Sequence, residues 1–110
     1  QGKLAQIDAK RRFVEDKIRS QVLDAASALN NAFQRIEQAR ENLELTQQSL
    51  RLGRSRFEEG DIDIIALNIY ETSLAEAELL LVDAEFAYYS AQAQYTAALG
   101  MDANLESRMQ

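Results

Sequence analysis

The sequence predicts an all-α fold, a long antiparallel two-helix coiled-coil hairpin. Three observations carry that prediction. Residues that break helices are nearly absent, with no Pro and 4 Gly among 110 residues, so the loops of a globular domain have little to be built from. Two long apolar stripes recur at alternating intervals of four and three, which is the pattern of a helix seam. One short segment, Phe57-Glu58-Glu59-Gly60-Asp61-Ile62-Asp63, separates them.

The first helix is expected over residues 4–59. Its seam is Ile18, Val22, Ala25, Leu29, Ala32, Ile36, Ala39, Leu43, Thr46, Leu50, Gly53 and Phe57. One heptad position is mostly large and the other mostly small, so large side chains of one helix can sit over small ones of the other. Before Ile18 the seam weakens, because Arg11 and Glu15 fall where apolar residues belong. That points to curvature or to a partner outside this chain. Phe33, Leu45 and Leu52 lie off the seam and widen the apolar face, as expected of a helix that meets more than one neighbour.

The tip is expected at residues 58–63. Gly60 suits the left-handed position that closes a helix C-terminus. Arg51, Arg54 and Arg56 stand before it, where cations favour the negative end of the helix dipole. Asp63 is the expected N-cap of the second helix, with Ile62 and Leu67 placed for a hydrophobic staple; Asp61 is the competing cap. The second helix is expected over 64–99, and its stripe runs through Asp63, Leu67, Tyr70, Leu74, Ala77, Leu81, Ala84, Tyr88, Ala91, Tyr95 and Ala98. Three of the four tyrosines therefore pack, while Tyr89 points to a neighbouring subunit or a lumen. Gly100 is expected to end the helix, leaving a tail at 100–110 in which Asp102 could start a further short helix. On this reading helix one outruns helix two by roughly 30 Å at ~1.5 Å per residue. Such an overhang makes sense if something stacks above Gly100 in a larger parent protein.

Composition removes several classes of function. The net charge of −6 repels phosphate backbones, so no nucleic-acid partner is expected. Lys and Arg read as interspersed with Glu and Asp. Zero cysteines exclude a disulfide framework and a thiolate metal site. No run of roughly 20 apolar residues could span a membrane as a helix. The first twelve residues are too polar for a signal peptide; an exported parent would carry its signal elsewhere. With no His, no Cys and no Gly-rich phosphate loop, the chain is not expected to be an enzyme or to hold a cofactor. Glu58, Glu59, Asp61 and Asp63 form a dense carboxylate group, but a tight turn cannot aim enough oxygens inward for calcium. They read as cap and solvated turn, with no metal site.

What remains is recognition at the tip. Arg54, Phe57, Gly60, Asp61, Ile62, Asp63 and Ile64 are the candidate partner-docking residues, because they gather charge and apolar side chains at the end of a long lever.

These residues carry a resemblance. Arg56-Phe57-Glu58-Glu59-Gly60-Asp61, Leu67-Asn68 and Glu71, then Leu74, Ala77, Leu81, Ala84, Tyr88, Ala91, Tyr95 and Ala98-Leu99-Gly100 look like the C-terminal repeat of the TolC family of outer-membrane efflux proteins. Ile18, Val22, Ala25, Leu29, Ala32, Arg35-Ile36 and Ala39 extend the likeness upstream, so it covers residues 14–100. The resemblance implies a periplasmic helical hairpin of a trimeric α-barrel beneath an outer-membrane β-barrel, in a Gram-negative bacterium. It implies a channel for efflux or type I secretion that docks a periplasmic adaptor protein near Gly60 and, through it, an inner-membrane transporter. The chain departs from the family at several places. Ala or Ser usually stands where it has Tyr70, and a small hydroxyl residue where it has Asp63. The best-known member has Arg at the position of Ile62 and acidic residues at those of Ala66 and Ile69, so its gate contacts are not carried over. Two other readings share the hairpin: the coiled coil of a periplasmic adaptor (membrane fusion) protein, and a generic structural spacer.

Overall fold

The computed structural model describes residues 2–109. Among them are two helices and no strand: α1 over Gly2–Glu58 and α2 over Ile64–Met109, packed against each other as a hairpin. The expected all-α hairpin is the observed fold. Two compact units contribute to it, residues 32–88 and residues 1–31 with 89–110.

In the unit 32–88 the seam is the one the heptads define. Ala32, Ile36, Leu50 and Gly53 of α1 and Leu67, Ala77 and Ala84 of α2 are buried. Ala39, Leu43, Thr46, Tyr70, Leu74, Leu81 and Tyr88 are half-buried between them. Alternation of large and small residues lets the backbones approach, and each Ile or Leu fully buried this way contributes about 1.5–3 kcal/mol. Thr46 sits in an apolar line without leaving a polar atom unpaired, since its hydroxyl donates to the Asn42 carbonyl at 2.7 Å. Gly53 faces Tyr70 so closely that a Cβ at position 53 would stand 2.7 Å from the ring's Cδ2. The bulk of Tyr70 is therefore accommodated by the missing side chain opposite it. Phe33, expected off the seam, places its ring 6.2 Å from that of Tyr88 at a tilt of 53°, a favourable aromatic geometry.

In the second unit Ile18, Val22, Ala25 and Leu29 are half-buried, Ala91 and Ala98 are buried, and Tyr95 is half-buried. Every residue from Gly2 to Val14 is exposed, which agrees with the seam failing before Ile18. Tyr89 is exposed, as expected for the tyrosine off the seam.

One expectation fails here. Gly100 does not end the second helix, and Asp102 does not start another; α2 runs through both to Met109. Gly100 is not left-handed, Gly60 being the only glycine with positive φ among the described residues. Two causes are visible. Glycine in a helix costs only about 1 kcal/mol relative to alanine, and the seam continues past it: Asp102 and Leu105 are half-buried at the next heptad steps after Ala98. Gly100 itself is exposed and off that line. Over the described residues α1 has 57 residues and α2 has 46.

Candidate functional site: the hairpin tip

The turn is built by two capping devices in sequence. At the end of α1 the Gly60 N–H donates to the Phe57 carbonyl at 3.0 Å, and the Asp61 N–H donates to the Arg56 carbonyl at 2.8 Å. That pair of bonds, with Gly60 at φ 82°, is a Schellman motif with the left-handed residue just past the helix. Positions 56 and 61, where such motifs often place an apolar pair, here carry opposite charges. At the start of α2 the Asp63 Oδ1 accepts from the Ala66 N–H at 2.9 Å, and its carbonyl accepts from Leu67 at 3.1 Å. Asp63 is thus the N-cap, and the absence of an acidic residue in the first turn of α2 leaves it as the carboxylate facing the helix dipole. Asp61 is not a cap; its backbone closes the preceding helix. Ile62 is half-buried and Leu67 buried on either side of the cap, the placement a staple requires.

These contacts sort the expected docking residues. Arg54, Asp61 and Asp63 are exposed, and so is Ile64. Phe57, expected to close the seam, is 38% exposed, so the seam opens at its last step. Gly60 serves the turn by its backbone. Ile62 is the least available of the named side chains, being half-buried. In its place the apolar surface is supplied by Ile65, 68% exposed, and Ile69. Ile65 and Ile69 line a shallow groove on α2 with Asn68 and Thr72. Ile65 and Ile69 were both absent from the expected docking set, because seam reasoning sorts residues into packed and solvated and does not rank the exposed apolar ones. Among the described residues no three acidic side chains converge as they would around a metal ion.

The charges are less mixed than they read along the sequence. Interspersion holds within α1, but no Lys or Arg occurs between Arg56 and Arg108. Leaving the tip, the chain passes from an arginine-bearing helix to an acidic one.

Fold and tip together define a class: a two-helix coiled-coil hairpin whose reverse turn is capped on both sides. No family model, curated protein or solved structure matches the chain. Among the described residues no helix is long and apolar enough to cross a membrane.

Proposed function

We propose that this hairpin is the periplasmic α-barrel portion of an outer-membrane channel for efflux or type I secretion, and that its tip docks an adaptor protein. The observation that carries the reading is the tip itself. A turn fixed by a Schellman motif and an Asp63 cap holds Ile64, Ile65 and part of Phe57 in solvent, where their burial would be gained on binding. The Leu/Ala ladder from Leu67 to Gly100, which resembles the TolC family, supplies the identity of the partner class. An adaptor linked to an inner-membrane transporter would bring the energy for transport, and the parent would be a homotrimer. In this reading the chain binds and conducts; it performs no catalysis and needs no cofactor.

A structural spacer is the second reading. The uninterrupted run of α2 through Gly100 favours it, since an unbroken seam is all that a spacer requires.

Because the chain has no cysteine, a single introduced thiol is unique, and crosslinking separates the two readings. Ile64→Cys or Ile65→Cys is expected to form a disulfide with a cysteine placed at the tip of the adaptor hairpin, while Leu105→Cys is not. Equal yields from all three positions, or none from the tip, would leave the spacer reading.

A further inference from the structure

On α2 of the unit 32–88 a second line of residues keeps the three-and-four spacing of a seam. It runs from Ile65 and Asn68 through Thr72 and Ala75 to Leu79, Val82 and Phe86, and all of these are exposed. Its tip end forms the shallow groove of Ile65, Asn68 and Thr72. Its far end is apolar, with Leu79 64% and Phe86 73% exposed. By helical geometry the line lies on the side of α2 turned away from Leu74, Ala77, Leu81 and Ala84. The spacing holds for about three heptads, long enough to serve as a coiled-coil seam.

The positions flanking a seam choose its partner. Here they stand one residue before Thr72, Leu79 and Phe86 and one residue after Ala75 and Val82. Glu71, Glu78 and Glu85 occupy the first row, Glu76 and Asp83 the second. Every acidic residue between 71 and 86 is on a flank, and every flank in that span is acidic. A face kept only for solvation has no cause to hold Leu79, Val82 and Phe86 between two carboxylate rows. No Lys or Arg of α2 before Arg108 offsets those charges.

The complement is not found in this chain. Two such lines face to face would oppose carboxylate to carboxylate. On α1 of the same unit, the register set by Gly53 opposite Tyr70 puts Glu41 and Glu37 level with Val82 and Phe86, so a second copy with its tip level adds acid to acid. The start of α1 has Lys3, Lys10 and Lys17 on one flank of Leu4, Ile7 and Val14, but Asp8 and Glu15 on the other. We infer that this face of α2 docks an amphipathic helix of a different protein, one with Lys or Arg on both flanks of its apolar row. That row lies against Leu79, Val82 and Phe86, its cations lie along the two carboxylate rows, and Asn68 sets the register as a polar residue in a seam does. The inference rests on the line and its flanks, and it holds for a channel and for a spacer alike.

Two synthetic peptides of about three heptads test it by fluorescence anisotropy. Both have Leu in the seam positions; one has Lys at every flanking position and the other Glu. The chain is expected to bind the Lys peptide, less tightly as salt is raised, and to bind the Glu peptide at least tenfold more weakly. Phe86→Glu is expected to weaken Lys-peptide binding roughly tenfold or more with helicity unchanged, although a purely electrostatic attraction would grow. Leu23→Glu, the same change in charge at an exposed residue off the line, is expected to bind like the parent chain. Equal affinity for the two peptides, or a Phe86→Glu variant that binds the Lys peptide as well as the parent does, would overturn the proposal. So would sedimentation showing that the chain self-associates and that Phe86→Glu abolishes it, since a second copy would then be the occupant.

Discussion

At Gly53 two effects of one methyl group oppose each other. Replacing Gly with Ala inside a helix is ordinarily stabilising by about 1 kcal/mol. Here the added Cβ would press on Tyr70 at 2.7 Å, and overpacking costs typically 1–3 kcal/mol. Gly53→Ala is therefore expected to destabilise the hairpin in urea unfolding, and to stabilise it when Tyr70→Ala is already present. The same sign in both backgrounds would contradict the notch. Tyr70 illustrates what a residue pattern conceals: it was legible as a seam position, but the glycine that makes room for it lies seventeen residues upstream on the other helix. The caps were more legible, because their chemistry is local. Asp63→Ala is expected to lose about 1 kcal/mol, and Asp63→Ser only part of that, since a hydroxyl can still accept the Ala66 N–H. Equal stability of Asp63→Ala and the parent chain in the same assay would remove the cap from the account.

At the scale of the element, the heptads placed the buried line of both helices correctly, because knobs and holes depend on spacing that any reader of the sequence can count. The end of α2 was not legible in the same way. Gly is read as a helix stop where nothing beyond it pays to continue, and the value of continuing depends on Asp102 and Leu105 finding α1. Because Gly100 is helical and exposed with open space around its Cβ position, Gly100→Ala is expected to raise stability by about 1 kcal/mol. A loss would restore the expected helix end. Buried and exposed leucines should also separate in mutational cost. Leu50→Ala, at a buried position, is expected to cost about 2–5 kcal/mol, whereas Leu79→Ala, at an exposed one, is expected to change unfolding by less than about 0.5 kcal/mol.

At the scale of the molecule, the hairpin topology and the position of its turn could be read from the sequence, while the division of labour at the tip could not. Ile62 and Ile64 look alike in the sequence; on either side of the Asp63 cap one is half-buried and the other exposed. In the proposed function, the end held by Gly60 and Asp63 is where the chain recognises its partner. Calorimetric titration of the chain with the helical hairpin of a periplasmic adaptor is the decisive test, run beside Ile64→Asp and a control at an exposed position far from the tip, Ile7→Asp. Saturable binding is expected, weakened roughly tenfold or more by Ile64→Asp, with helicity retained and Ile7→Asp close to the parent chain. Binding that Ile64→Asp leaves unchanged, or no binding by the parent chain, would contradict it.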